Sequence, residues 1–243
     1  LSVAAKKSGR VAAQGLVGTY VSGNVGCIIE VNSETDFVSR NEVFQKFVEN
    51  CCKLGINSNS DINLLYKMQY LSSDRTVKEE LTNNIATIGE NLNVRRVELV
   101  KLKNEGVIIS YVHNSVVDNM GKIGVLICLE SSAEKDLLIE TGKKIAMHIA
   151  ATNPLSISIN DLNKEIIEKE KMILTEQALS SGKTKEIAEK MVEGRMQKFF
   201  QEVVLESQTF VMDENLTIKS LLENFSKITN HEVKITDFKK LVL

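Results

Sequence analysis

The residues able to do chemistry in this chain are few and scattered. "SGKT" (181–184) matches the last four residues of a phosphate-binding loop, in which backbone N–H groups cradle phosphates, a lysine meets their charge and a hydroxyl holds Mg²⁺. The full motif needs another glycine five positions before Gly182, where Gln177 stands, and the stretch joins two helical segments instead of following a strand. It reads as a polar turn. His148 sits between Met147 and Ile149 on an amphipathic segment and reads from the residues alone as a packed structural histidine. Cys51 and Cys52 are adjacent on a helical stretch, where neighbouring side chains diverge, so one packed thiol beside an inert one is expected. Arg95 and Arg96 form either a phosphate receiver or an ion-paired strand edge.

The stretch "EVNSETDFVSRNEVF" (30–44) is less ordinary, because it leaves an aromatic residue in a polar loop. Ser39 and Glu42 have capping-box spacing, in which each side chain satisfies a free backbone N–H at the start of a helix. With Ser39 as N-cap, Val38 and Val43 are placed to form a hydrophobic staple. Phe37, beside Asp36, then has no local partner. Two readings stand: Phe37 folds back under the preceding hairpin, or it anchors in a partner's pocket, where a buried aromatic is a common hot spot.

The elements that must position these residues follow from pattern. Residues 2–14 are helical in composition, with Gly15 as a stop. "LVGTYVSGNVGCIIEV" reads as a hairpin broken at Ser22–Asn24, and "SRNEVFQKFVENCCKLG" as a helix with Phe44, Phe47, Val48 and Cys51 on one face and Gly55 at its end. The order hairpin, polar loop, helix recurs: strands around Ile108–His113 and Ile123–Leu129 precede a helix carrying Ile145, His148 and Ile149. "VGCIIEV" (25–31) and "IGVLICL" (123–129) share one apolar pattern, as do "FVENCC" (47–52) and "IAMHIA" (145–150). Between the copies, "TVKEELTNNIATIGENLNVRRVELVKL" reads as a helix passing into a strand.

The fold class expected is therefore α+β: two related hairpin-plus-helix units forming a core of antiparallel sheets covered by helices. Residues 161–205 form a helical hairpin with an apolar seam of Leu162, Ile166 and Ile173 facing Ile187, Met191, Met196 and Phe199. It reads either as a projecting antiparallel coiled coil or as two ordinary surface helices packed on the core. The tail adds a helix and a strand. The segments are 1–15, a linker helix; 16–101, the first subdomain with the Thr35–Val38 loop; 102–160 with 206–243, the second subdomain; and 161–205, the inserted hairpin.

Composition excludes several classes. The 243 residues include 30 Lys plus Arg against 32 Asp plus Glu, a net charge of −2 that argues against a dedicated nucleic-acid binder. No apolar run approaches the roughly 18 residues of a membrane span, and the N-terminus lacks the apolar region of a signal peptide. Four cysteines without a CxxC pair and three separated histidines suggest neither a disulfide framework nor a zinc site. A reducing, cytoplasmic setting with no cofactor or metal of the chain's own is the expectation.

"KKSGRVAAQGLV" (6–17), "EVNSETDFVSRNEVF" (30–44), "IGENLNVRR" (88–96), "KIAMHIAATNP" (144–154) and "GKTKEIAEKMVEGRMQKFFQEVVLESQTFV" (182–211) together resemble the elongation factor Ts family of bacteria. The resemblance spans essentially the whole chain in the expected order. It implies a guanine-nucleotide exchange factor for elongation factor Tu in a bacterial cytoplasm, not an enzyme. It would bind the GDP-bound and nucleotide-free partner, without direct contact to nucleic acid or membrane.

By that resemblance Thr35, Asp36, Phe37 and Val38 would dislodge Mg²⁺ from the partner's nucleotide site, with Phe37 as the wedge. Met147 and His148 would be secondary contacts, which sets the family implication for His148 against the structural reading given above. The second unit has "SSAEKD" (131–136) where the first has the wedge loop, so it is not expected to repeat it. Relatives carry a small N-terminal helical module, and this chain would start at the linker that follows it. The alternative, from another class, is a chaperone-like subunit that holds elongation factor Tu in a larger complex without driving exchange.

Overall fold

The computed structural model describes residues 3–182 and 184–243. Helix α1 (Val3–Lys7) leads to strands β1 (Gln14–Ser22) and β2 (Val25–Ser33), then a 3-10 turn (Asp36–Arg40) and helices α2 (Glu42–Gly55), α3 (Ile62–Lys67) and α4 (Val77–Ile88). Strands β3 (Leu92–Lys101), β4 (Gly106–Val117) and β5 (Met120–Glu130) precede α5 (Lys135–Ala151). The chain continues through α6 (Lys164–Ser180), α7 (Lys185–Val203), β6 (Thr209–Phe210), β7 (Asp213–Thr217), α8 (Ile218–Thr229) and β8 (Lys234–Val242). The class is α+β with antiparallel pairing, and the order hairpin, loop, helix occurs twice, as β1–β2–α2 and as β4–β5–α5. Among the described residues no helix is long and apolar enough to cross a membrane.

Two compact units form, residues 1–150 with 234–243 and residues 151–233. In the first, the strands of segments 16–101 and 102–160 share one six-stranded antiparallel sheet with β8, in the order β3-β2-β1-β5-β4 with β8 pairing β5 off that path. Strand β5 pairs with β1 only at Met120 and Gly121, and from Ile123 onward with β8. The C-terminal strand thus continues the edge that β1 leaves.

The face of α2 read from the sequence is the buried one. Phe44, Phe47, Val48 and Cys51 enter a core with Leu16, Ile29 and others, each large side chain contributing about 1.5–3 kcal/mol by leaving water. The helix comes so close to β1 that a Cβ at Gly18 would stand 2.7 Å from Val48 Cγ1 and 2.9 Å from Cys52 Sγ. Only glycine fits between them. A second core, built from Val17, Ile28, Val100, Leu126, Cys128 and Leu241, joins β1–β3 to β5 and β8. Helix α1 is shorter than its composition suggests, and Gly15 is not its stop: the chain is already extended by Gln14, and Gly15 lies inside β1 with φ 129°. Residues 1 and 2 of the expected linker helix lie outside the described residues.

In the second unit α6 and α7 pack as a helical hairpin, with Arg195 Nη1 donating to Gln177 Oε1 at 3.0 Å. The seam differs from the expected one. Leu174 and Ala178 face Ala188, Val192 and Met196, with Ile167, Phe199 and Phe200 packed beside them, while Ile166, Ile173 and Ile187 are exposed. Small Ala178 and Ala188 occupy the closely packed positions and Ile167, not Ile166, joins the seam, so the contact stripe is rotated round the helices.

Candidate functional site

The candidate site is the loop from Glu34 to Asn41 between β2 and α2. Thr35 is extended (φ −120°, ψ 160°), and Asp36–Arg40 then form a 3-10 turn. Its tight winding sends successive side chains in very different directions. Val38 is 6% exposed and belongs to the core under α2, whereas Phe37 is 81% exposed. Asp36 beside it is also exposed. Of the two positions the sequence leaves open for Phe37, folded under the hairpin or standing free, the second is the observed one.

Helix initiation differs from the expected capping box. Asn41, not Ser39, is the N-cap of α2: its side-chain oxygen accepts from the N–H groups of Val43 and Phe44 at 2.9 and 3.1 Å. Ser39 instead closes the 3-10 turn, its hydroxyl donating to the Asp36 carbonyl at 2.5 Å, while Gln45 Nε2 reaches back to the Ser39 carbonyl at 2.8 Å. The staple does not form, since Val38 is in the core and Val43 is exposed. The extra turn shifts the helix start by two residues, and an asparagine caps as well as a serine.

The base of the loop is held by residues that local patterns did not single out. The Thr35 N–H donates to Glu90 Oε2 at 2.9 Å and its hydroxyl to Glu90 Oε1 at 2.6 Å. In return Glu34 Oε1 accepts the Asn91 N–H at 2.6 Å, and the Glu34 carboxylate faces Arg10 at 3.6 Å. Gly89, left-handed at φ 88°, ends α4 and turns the chain so that Glu90 and Asn91 meet the loop. These partners lie more than fifty residues apart, beyond any local spacing rule; the glycine after α4 is the one signal that a sharp turn stands there.

The other chemistry-bearing residues fall elsewhere. On α5, Met147 is 38% exposed and His148 is 0% exposed, so the two neighbours face opposite ways. Arg95 and Arg96 both reach Glu30 of β2, a strand-edge ion pair. All four cysteines are buried free thiols, Cys51 and Cys52 alike, because α2 packs against β1 and β2 and also against α3 and α4. Burial pushes Cys27 and Cys128 up to about 12 and Cys51 and Cys52 well above the ordinary thiol value, which leaves them unsuited to nucleophilic work. In "SGKT", Gly182 has the left-handed conformation (φ 71°) of a turn between α6 and α7, and Lys183 lies outside the described residues. Among the described residues no group of His, Cys, Asp and Glu is placed to hold a metal ion.

Comparison with known proteins bears on this geometry. The family model described as Elongation factor TS matches residues 34–243, from the first residue of the loop onward. The chain is 46% identical over 243 residues to the elongation factor Ts of Rhodospirillum centenum, covering all of this chain and 79% of that protein. It is 47% identical over 239 residues to that of Rickettsia bellii, covering 98% of this chain and 76% of the relative. To that of Bartonella bacilliformis it is 42% identical over 243 residues, covering all of this chain and 79% of the relative.

Proposed function

The chain belongs to the elongation factor Ts family, a family of translation elongation factors, and from that premise we propose that it is the guanine-nucleotide exchange factor of elongation factor Tu. The single observation that carries the mechanism is Phe37, a large aromatic ring 81% exposed on a turn whose neighbours are fixed. An exposed aromatic on an ordered support enters a partner's pocket at small entropic loss.

In this reading Phe37 wedges into the GTPase domain of the GDP-bound partner, and Asp36 brings a carboxylate to the same place. Val38 roots the turn in the core and Thr35 ties its base. Mg²⁺ requires near-octahedral oxygen ligands at about 2.0–2.1 Å, so a small displacement of its supports weakens it greatly. Loss of the ion removes positive charge from the phosphates and GDP leaves. Because coupling is reciprocal, the factor's weakening of GDP equals GDP's weakening of the factor. GTP then enters the nucleotide-free partner by mass action. No covalent bond changes, so the protein is an exchange factor and not an enzyme.

Met147 is the accessible member of the second candidate pair and serves as a secondary contact, with His148 packed behind it. The test is release of fluorescent GDP from the cognate elongation factor Tu. The unaltered chain accelerates release, and Asp36→Ala/Phe37→Ala abolishes most of the acceleration. Binding of the partner without acceleration would return the holding, chaperone-like role instead. Full activity of the double variant would remove the wedge and leave exchange standing.

A further inference from the structure

We propose that Glu90 is a positioning residue for Phe37: its carboxylate holds the wedge loop in its binding geometry before any partner arrives. This rests on the exchange reading above. Phe37 itself has no internal restraint, since its ring stands in solvent. Its direction is therefore set by its backbone, which is held on one side by Val38 in the core and on the other at Thr35, the extended residue from which the 3-10 turn departs.

Thr35 spends both of its polar hydrogens on Glu90, main-chain N–H to Oε2 at 2.9 Å and hydroxyl to Oε1 at 2.6 Å. Hydrogen bonds to an ionised acceptor are the stronger kind, and two of them on one carboxylate fix orientation as well as distance. The contact is doubled by its reciprocal, Asn91 N–H to Glu34 Oε1 at 2.6 Å. Adjacent residues on each side thus exchange carboxylate-to-amide bonds, and the Glu34–Thr35 and Glu90–Asn91 peptides cannot slide past one another. The far side is anchored in turn: Asn91 Nδ2 donates to the Arg10 carbonyl at 2.7 Å, and Lys7 Nζ donates to the Gly89 carbonyl.

The consequence is one of populations. A loop that is binding-competent only part of the time binds with its affinity reduced by that fraction. Cutting the clamp leaves the core intact, because Val38, Phe44 and Phe47 remain buried beneath the turn. It loosens the residues preceding Phe37, which keep the Ser33 hydroxyl on the Thr35 carbonyl at 2.8 Å and the Ser39 hydroxyl on the Asp36 carbonyl at 2.5 Å.

The experiment compares Glu90→Ala, Glu90→Gln and the unaltered chain in GDP release from elongation factor Tu as a function of factor concentration, with thermal unfolding and amide hydrogen exchange of the free chains. For Glu90→Ala the half-saturating concentration rises roughly tenfold, as for a loop competent about a tenth of the time. Its plateau rate and unfolding midpoint stay near those of the unaltered chain, and the Thr35 amide exchanges faster. Glu90→Gln falls between the two, because the amide oxygen accepts the Thr35 N–H and the amide N–H donates to the hydroxyl, both without the carboxylate's charge. Thr35→Val, which removes only the hydroxyl bond, gives a smaller rise and serves if Glu90→Ala does not fold. An unchanged half-saturating concentration in Glu90→Ala, or a Glu90→Gln as impaired as Glu90→Ala, overturns the clamp while leaving exchange intact. Absence of acceleration by the unaltered chain overturns the exchange reading itself, and the clamp with it.

Discussion

Arg96 stands directly opposite Glu30 in the β2–β3 ladder and carries its fully buried carboxylate through Nε, while Nη2 of the same guanidinium donates to the Val242 carbonyl at 2.7 Å. The register of that ladder shifts just beyond Glu30, which pairs with Arg96, while Val31 pairs with Val94, so Arg95 is the extra residue of a β-bulge. A bulge re-aims a side chain that strict alternation would send to the other face. Both guanidiniums thereby reach one carboxylate, Arg95 Nη1 at 3.4 Å. Asn32 Nδ2 completes its shell at 2.9 Å.

The two arginines are not equivalent. Arg96→Ala removes the closer donor, leaves the buried carboxylate to Arg95 and Asn32, and removes the bond to the Val242 carbonyl; at the scale of a hydrogen bond to a charged group it destabilises by about 1.5–3 kcal/mol. Arg95→Ala, at a longer distance and with a mostly exposed side chain, costs under about 1 kcal/mol. Urea unfolding of the two variants checks the order, which reverses if the bulge residue is the true partner of Glu30.

On the proposed mechanism, Phe37 and Val38 separate function from stability within one dipeptide. Phe37→Ala removes a ring already in solvent, so the unfolding free energy stays within about 0.5 kcal/mol while GDP release from elongation factor Tu loses its acceleration. Val38→Ala hollows the core under α2 and lowers stability by about 1–3 kcal/mol. Equal stability losses in the two variants would show that Phe37 packs on its own chain.

Gly18→Ala tests the approach of α2 to β1. The added methyl meets Val48 and Cys52 at distances no packed Cβ adopts, and overpacking of this kind costs about 1–3 kcal/mol. Gly194→Ala, with open space around the same position of its own backbone, serves as the control; inside α7 it stabilises by about 0.5–1 kcal/mol.

The thiols give a pH prediction. With Cys27 and Cys128 pushed up to about 12 by burial, and Cys51 and Cys52 raised well above the ordinary thiol value by the same cause, the reactive thiolate of Cys27 and Cys128 is about one part in ten thousand at pH 8. Raising the pH to 9, where an ordinary thiol is largely ionised, leaves them nearly as inert. Mass spectrometry after iodoacetamide therefore finds the folded protein unmodified at both pH values and four alkylated cysteines in denaturant. Labelling of any one in the folded state would mark local opening at that residue.

Much of the fold is legible in the residues. Apolar periodicity identifies the hairpins, the buried face of α2 and the repeat of hairpin, loop and helix, because period and burial are local properties of a strand or helix. The isolation of Phe37 is legible as well, since no residue at helical or hairpin spacing offers it a partner. Capping arithmetic reaches the right loop with the wrong cap: Ser39 and Asn41 both have the chemistry, and only the packing of Val38 into the core decides that a 3-10 turn intervenes. The seam of α6 and α7 likewise turns on which face finds small residues opposite it, a fact shared between two helices and present in neither.

What the tertiary structure alone decided are the contacts between residues distant in sequence. Glu90 meeting Thr35, Arg96 meeting Glu30 and β8 completing the edge of β5 each depend on where two remote stretches arrive. Hydrogen bonds and ion pairs act over a few ångströms in space and leave no period along the chain. The sequence by itself determined most of the elements and the family and set Phe37 apart from any local partner; the fold determined that its ring stands in solvent and what holds the base of its loop.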